Sequence, residues 1–135
     1  MKNNFYFKEN FSNIYKRPSK FSEIISQILY GERFIILSKS KNWLKIKTSF
    51  DNYDGYIKNS NYKKNIRNSH KVFKLKSRIF KKTQTKKFSQ TKKYLTFAAK
   101  ISIIQKNKNF VEYEKNKWIK KVDIKKIDHV EKNYL

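Results

Sequence analysis

The chain has 135 residues, of which 34 are lysine or arginine and 10 are aspartate or glutamate, giving a formal net charge of +24 at pH 7. The lack of cysteine excludes disulfides, thiolate metal ligands and a thiol nucleophile within the chain. Only 38% of the residues are hydrophobic but 16% are aromatic, which predicts small cores filled by aromatic rings and excludes a disordered chain.

The N-terminal sequence MKNNFYFKENF has no apolar segment of the kind found in a signal peptide, and no stretch approaches the roughly 18 apolar residues of a membrane span. We therefore expect a cytoplasmic protein with no signal peptide and no membrane span. Residues 1–12 are predicted to be an extension ahead of the first folded unit.

A long loop and two strands are predicted next. FSEIISQI (21–28) has isoleucines at helical spacing, but the segment is only eight residues long and lies between Pro18 and Gly31, so it is predicted as a loop followed by a strand. RFIILSK (33–39) is a β-branched run before a polar turn, which is typical of a buried strand.

The segment NWLKIKT (42–48) alternates between apolar and charged side chains. This pattern places Leu44 and Ile46 on one face of a strand and Trp43, Lys45 and Lys47 on the other.

Two features are predicted to complete the first half of the chain. YDGYIK (53–58) is expected to turn at Asp54-Gly55 and to continue as a strand. NSNY (59–62) and its counterpart KVDI (121–124) each predict a helical turn.

In the second half, the most basic run, KKTQTKKFSQTKK (81–93), is predicted as a long loop, either solvated or acting as a flexible arm for phosphates.

The two halves repeat each other. YGERFIILSKSKNW aligns without a gap with FAAKISIIQKNKNF, NIYK aligns with RIFK, and GYIKNSNY aligns with KWIKKVDI. The alignment makes Trp43 equivalent to Phe110 and Tyr56 equivalent to Trp118. Because the blocks occur in the same order, two homologous units are predicted. Tyr56 and Trp118 are expected to pack in the cores of these units.

The fold class is predicted to be all-β. Several short strands and a long first loop in fewer than about 60 residues favour a small closed barrel, because closure removes exposed sheet edges. Two such barrels in tandem are expected, at residues 13–66 and 67–127, with residues 128–135 starting a linker.

Three stretches of the first unit carry a resemblance to a known family: SQILYGE (26–32), NWLKI (42–46) and YDGYI (53–57). They resemble the first bacterial SH3 domain of NlpC-type peptidases, which cut γ-D-glutamyl bonds in cell-wall peptides. Tyr56 stands where the family commonly has tryptophan. The second unit resembles the second SH3 domain of these enzymes more weakly, because FAA replaces YGE. The resemblance implies two tandem SH3-like barrels.

In such peptidases a papain-like domain with a cysteine nucleophile follows the SH3 domains. Because this chain has no cysteine, the resemblance implies the non-catalytic front part of a truncated or split enzyme, with the catalytic domain supplied in cis or in trans. The expected partner is a cell-wall peptide (muropeptide). No cofactor or metal is expected, since His70 and His129 are isolated from other ligand types.

The resemblance also implies candidate site residues. In related enzymes the first SH3 domain helps to read the free amino terminus of the substrate, and this role carries over to Glu32, Tyr53 and Asp54. The alternative for each of the three is a structural role, which for Glu32 is that of a turn acid that neutralises Arg33 or a nearby lysine. Trp43 is a candidate platform for a sugar or peptide, or else packs under the long first loop.

Three functions remain open on the sequence alone. The favoured one is a module that positions cell-wall peptide for an NlpC-type peptidase. A basic nucleic-acid-binding protein made of two SH3-like barrels and a free-standing cell-wall-binding module are the alternatives. The high charge is either a polyanion site or compositional drift, since lysine, asparagine and isoleucine are abundant while glycine and proline are scarce.

Overall fold

A computed structural model describes residues 4–49 and 54–127 of the chain. The chain divides into two compact units, with the boundary between Ile66 and Arg67. The described residues form 15 strands and one 3-10 turn, Lys121–Asp123, so the all-β prediction is confirmed. Within the described part, no helix is long and apolar enough to cross a membrane.

The first unit is one antiparallel sheet of seven strands, in the order β3-β2-β6-β5-β4-β1-β7. Pairing among the described residues leaves β3 and β7 as its two edges. The strands are β1 (Phe5–Phe7), β2 (Phe11–Tyr15), β3 (Ile24–Leu29), β4 (Arg33–Lys39), β5 (Trp43–Thr48), β6 (Asp54–Lys58) and β7 (Tyr62–Lys63).

The loop-and-strand prediction for FSEIISQI and the two predicted strands that follow it are confirmed. β4 spans the β-branched run, and β5 has Leu44 and Ile46 buried while Trp43 stays half-buried. The core of the unit consists of buried apolar side chains from six strands: Phe7, Ile14, Ile28, Phe34, Leu44, Ile46 and Ile57.

The described part of the predicted N-terminal extension belongs to this sheet. Strand β1 pairs with β4 on one side and β7 on the other, and it places Phe7 in the core. Phe5 packs against Phe34 and Tyr62, with ring centroids 6.1 Å and 4.9 Å away. Burial of these rings explains why a segment without a clear strand pattern is ordered into the sheet.

The predicted turn at Asp54-Gly55 is wrong, because both residues lie in strand β6. Gly55 pairs with Ile46, and its neighbours explain why the position is glycine. A Cβ added there would overlap the Cγ2 atom of Ile14 and lie 3.2 Å from the carbonyl oxygen of Tyr15. The glycine therefore permits close approach of strands and not a reversal of the chain. The predicted helical turn at NSNY is also absent, since residues 59–62 form a bend that leads into β7.

The second unit contains two antiparallel sheets. A five-stranded sheet has the order β10-β9-β14-β13-β12 and a three-stranded sheet has the order β11-β8-β15. The strands are β8 (His70–Val72), β9 (Lys76–Lys82), β10 (Phe88–Thr96), β11 (Lys100–Ile101), β12 (Gln105–Lys106), β13 (Phe110–Glu114), β14 (Lys117–Lys120) and β15 (Ile124–Lys126). The 3-10 turn at Lys121–Asp123 confirms the helical turn predicted at KVDI.

The basic run at residues 81–93 is not a long loop, which corrects the prediction. β9 and β10 form a hairpin joined by residues 83–87, and Lys86 adopts a φ of 64° in this turn. The Thr91 hydroxyl donates to the carbonyl oxygen of Ile79 at 2.6 Å, where the register of the hairpin shifts. Paired strands satisfy the backbone here although few side chains of β10 are buried.

Residues at equivalent positions of the two repeats form equivalent strand pairs in the two units. Trp43 pairs with Lys58 as Phe110 pairs with Lys120, and Leu44 pairs with Ile57 as Val111 pairs with Ile119. The turn bonds also correspond, because Ser40 N–H donates to the Trp43 carbonyl and Asn107 N–H to the Phe110 carbonyl, both at 2.9 Å. The aligned sequence blocks of the two units therefore share the same strand register.

Candidate ligand-binding face of the first unit

The outer face of the first sheet carries three aromatic side chains among lysines. Strand alternation sends Leu44 and Ile46 into the core, so the Trp43 ring lies on the opposite face. The Trp43 ring meets the Tyr15 ring edge to face, with 5.7 Å between centroids and an interplanar angle of 89°. Tyr15 pairs with Tyr56 on the neighbouring strand.

Lysines extend this aromatic cluster. Lys45 pairs with Tyr56, and its Nζ lies 5.9 Å from the centre of the tyrosine ring. Lys58 pairs with Trp43. A lysine ammonium near an aromatic ring is weakly attracted by the ring, and the contact also holds the charge at the surface.

A pocket of about 410 Å³ opens beside the Trp43 ring. Its lining comes from three separate connections of the sheet, and among the described residues that form it none is acidic: Lys20, Lys41, Asn42, Trp43, Lys58 and Asn59. The two asparagines are joined through the backbone, because the Asn59 N–H donates to the Asn42 carbonyl at 2.9 Å.

The chemistry of this pocket suits an anionic ligand with one flat apolar face. The indole ring offers a surface for stacking, the three ammonium groups attract negative charge, and the two amides both donate and accept hydrogen bonds. The site is shallow and open to solvent, and it presents one aromatic side chain with a few polar groups around it.

Glu32, a predicted substrate-binding residue, lies at the other end of the sheet. Its Oε1 atom accepts a hydrogen bond of 2.9 Å from the N–H of Leu29, and Gly31 in the same turn has a φ of 81°. The carboxylate therefore stabilises the turn between β3 and β4.

The remaining predicted residues are also remote from Trp43. Asp54 is exposed and pairs with Lys47, four residues along β5 from Trp43, which corresponds to about 13 Å of strand. Tyr53 lies outside the described residues. The structure thus places Asp54 and Glu32 at one end of the sheet and Trp43 at the other, so these three described residues do not form one cluster.

Sequence reasoning found Trp43 but not the other side chains around it. Lys20 comes from the β2–β3 connection, and Asn59 comes from the β6–β7 connection. The sequence feature that could have identified Tyr15 as a neighbour of Trp43 is the NIYK block, which contains Tyr15 and aligns with RIFK in the second unit.

The equivalent cluster of the second unit is covered. Phe80, Phe110 and Trp118 occupy the positions of Tyr15, Trp43 and Tyr56, and Trp118 is only 3% exposed, which confirms the prediction that it is a core residue. The same prediction is wrong for its counterpart Tyr56, which is half-buried on the outer face of the first sheet because its strand neighbours Gly55 and Ile57 point inward.

Two other titratable groups of the second unit have shifted pKa values. Burial, followed by the charges of Lys126 and Lys106, lowers the pKa of His70, whose Nδ1 lies 2.7 Å from the Ser69 hydroxyl. Burial, with a smaller contribution from Glu114, raises the pKa of Tyr113 well above its ordinary value. Among the described residues, no group of three His, Asp or Glu side chains is placed to hold a metal ion.

Comparisons with known proteins support part of the sequence resemblance. The family model "Bacterial SH3 domain" matches residues 10–63, which is most of the first unit. This identifies the first unit as similar to a bacterial SH3 domain, and nothing in the match extends to the second unit. No curated protein matches the chain.

One solved structure that is similar to the chain is NlpC2 from Trichomonas vaginalis, with 12% sequence identity and a TM-score of 0.39. The alignment covers 93% of this chain and 48% of that protein, so the chain spans about half of its length.

Proposed function

We propose that the chain is a non-catalytic module that binds cell-wall peptide and positions or restricts it for an NlpC-type cysteine peptidase. The observation that carries this proposal is the bacterial SH3 match over residues 10–63, in a unit whose outer face holds Trp43 beside an open cationic pocket. Without a cysteine the chain cannot supply the nucleophile of that chemistry, so the catalytic domain acts in cis or in trans.

The second unit is proposed to be a diverged SH3-like copy with a structural role. Its support is the shared register of the repeat blocks, in which Phe110 and Lys120 pair as Trp43 and Lys58 do. Where the first unit has Lys45, the second has the buried Glu112, whose carboxylate accepts hydrogen bonds from Gln105 and Asn116. Loss of the lysine and coverage of the rings suit packing better than ligand binding.

Asp54 is proposed to pair with the free amino terminus of the substrate, with Tyr53 beside it in the sequence. An exposed carboxylate is available to an ammonium group, whereas the Glu32 carboxylate is already bonded to the turn of Leu29. Cytoplasmic localisation is part of the same proposal.

Isothermal titration of the full chain with soluble muropeptides tests the proposal. Stem peptides with a free amino terminus are expected to bind, and the Asp54→Asn variant should weaken this binding several-fold while leaving binding of the N-acetylated peptide unchanged. Glu114→Gln, a charge-matched change in the second unit, serves as the control. Failure of the folded chain to bind any muropeptide would overturn the proposed function.

A basic nucleic-acid-binding protein is the second candidate, and one observation favours it. Tyr15, Trp43 and Tyr56 share a sheet face with Lys45 and Lys58, and aromatic rings interleaved with lysines are typical of single-strand binding surfaces. Contacts to several phosphates would make the affinity fall steeply with salt, with a log–log slope of roughly −0.7 per contacted phosphate. A muropeptide with one or two carboxylates gives a much shallower slope.

A further inference from the structure

A second pocket, of about 210 Å³, lies in the second unit and is lined by residues of both its sheets. The rings of Phe110 and Trp118 do not line this pocket, so it is separate from the covered ring cluster. Its lining combines lysines, one histidine and aliphatic side chains, and none of the described residues that form it is acidic: His70, Ile103, Lys106, Val111, Lys121, Ile124, Lys125 and Lys126.

The lysines of this pocket carry charges that no acidic side chain of the described chain neutralises. Among the described residues, none of the lysines that line the pocket forms an ion pair. The nearby carboxylate of Asp123 is instead bonded to Ser77 and lies 3.8 Å from the Nζ of Lys74, which is outside the pocket. Because like charges brought together repel each other, an anion bound among these lysines would relieve the repulsion.

His70 reports the positive potential of the pocket. It pairs directly with Lys126 across β8 and β15, so the two side chains share one face of the sheet. Burial and then the charges of Lys126 and Lys106 lower the pKa of His70, while β11 places the apolar Ile101 opposite it. The Nδ1 atom lies 2.7 Å from the Ser69 hydroxyl, which leaves Nε2 as the ring nitrogen that meets a ligand.

We propose that this pocket binds the phosphate group of a small organic phosphate, a role that goes beyond the proposed function. A phosphate monoester carries nearly two negative charges at pH 7 and offers three strong acceptor oxygens, which suits several converging ammonium groups better than the single charge of a carboxylate. The protonated imidazole of His70 adds an N–H donor.

The aliphatic side chains of the pocket favour an organic phosphate over the inorganic ion. Ile103, Val111 and Ile124 offer an apolar surface beside the charged groups. A water molecule occupies about 30 Å³ of the liquid, so a pocket of about 210 Å³ has room for a phosphate and for part of the group that carries it. Burial of that group against the aliphatic side chains adds affinity that charge alone does not give.

Binding is expected to be coupled to the charge of His70. In the free chain Lys126 and Lys106 oppose a positive charge on the imidazole. A bound dianion favours the charged form and therefore raises the pKa of His70. Between the lower pKa of the free chain and the higher pKa of the complex, binding should take up a proton at this residue.

Isothermal titration of the full chain tests the proposal with adenosine monophosphate, inorganic phosphate and adenosine as probes at one ionic strength. Adenosine monophosphate is expected to bind about five-fold more tightly than inorganic phosphate, because it also covers apolar surface. Adenosine should not bind. Equal binding of adenosine and its phosphate would overturn recognition of an anion, and equal binding of the two phosphates would overturn the choice of an organic ligand.

A matched pair of double variants separates the pocket from the overall charge of the chain. Lys106→Gln with Lys126→Gln removes charge from the pocket, whereas Lys92→Gln with Lys93→Gln removes the same charge from exposed positions of β10 outside it. The pocket variant should weaken binding of adenosine monophosphate about ten-fold and the β10 variant less than about two-fold. Equal losses would overturn the site.

A proton titration followed by NMR gives a second readout at the pocket. The chain has two histidines, and His70→Gln identifies the signal of His70. Saturation with adenosine monophosphate should raise the pKa of His70, and an unchanged pKa while this probe binds would overturn the assignment to this pocket. Because the Trp43 pocket lies in the other unit, failure of the chain to bind adenosine monophosphate would overturn this proposal and leave the proposed function standing.

Discussion

Replacing Gly55 by alanine tests how closely strands β2 and β6 approach. Gly55 lies in mid-strand and pairs with Ile46. The new methyl group would overlap Cγ2 of Ile14 and lie 3.2 Å from both Cδ1 of Ile25 and the carbonyl oxygen of Tyr15. All of these separations are shorter than the 3.5–4.0 Å of an ordinary carbon–carbon contact, and Ile14 is buried and cannot move away freely.

The expected loss of stability follows from two opposing effects. Overpacking of a filled core costs about 1–3 kcal/mol. Removal of a glycine from the unfolded chain returns about 0.4–1 kcal/mol. Gly55→Ala should therefore destabilise the first unit by roughly 1–2 kcal/mol, which is a large share of the stability of a unit this small.

Urea denaturation followed by Trp43 emission measures this loss, in a Trp118→Phe background so that the signal reports the first unit alone. The control is a double-mutant cycle with Ile14→Ala, which removes the overlapped methyl group. Gly55→Ala should cost less than about 0.5 kcal/mol on that background, giving a coupling above about 1 kcal/mol. Equal costs on both backgrounds would refute the explanation of the glycine by close approach.

Three further predictions concern the second unit. Ser77→Ala removes the 2.8 Å hydrogen bond to the buried Asp123 carboxylate and should cost about 1.5–3 kcal/mol, measured by urea denaturation; a cost near zero would show that the bond is dispensable. Phe88→Ala uncovers the ring of Trp118, so its emission should shift to the red and become more sensitive to acrylamide, whereas Phe88→Leu should change it less; identical quenching would contradict the covering role. The pKa of His70 is lowered in the fold by burial and then by nearby lysines, so the unfolded chain binds the proton more readily and stability should fall as pH drops below about 6.5. Thermal denaturation of His70→Gln should lack this step, and a step of unchanged size would assign it to another group.

The strands that could be predicted are those whose side chains alternate with the core. Leu44 and Ile46 point inward from β5 because a strand repeats every two residues, and the neighbouring β-branched run of β4 has the composition of a buried strand. In these segments the local pattern and the tertiary packing favour the same structure, so the sequence was sufficient.

The features that sequence reasoning misplaced depend on partners distant in the chain. Gly55 suggested a turn because glycine commonly forms one, but its role is set by Ile14 and Tyr15 on another strand. The lysines of residues 81–93 suggested a solvated loop, but Phe88 within this run is held by Phe110 on a strand more than twenty residues away. Neither neighbour is visible in the local sequence.

The candidate site also contains one residue that the sequence could predict and others that it could not. Trp43 was predictable because it is an aromatic residue on the charged face of an alternating strand. The pocket beside it was not, because Lys20 and Asn59 are brought there by two loops that are far apart in the sequence. The separation of Trp43 from Glu32 likewise follows from strand direction, which a motif match does not give.

The central claim is that the open aromatic pocket of the first unit, and not its covered counterpart in the second, is the ligand site. The chain has two tryptophans, one in each unit, so a ¹H–¹⁵N spectrum contains two indole N–H signals. Titration with a soluble muropeptide should shift the indole signal of Trp43 and leave that of Trp118 in place. Movement of the Trp118 signal alone, or of neither signal while the muropeptide binds, would contradict the claim.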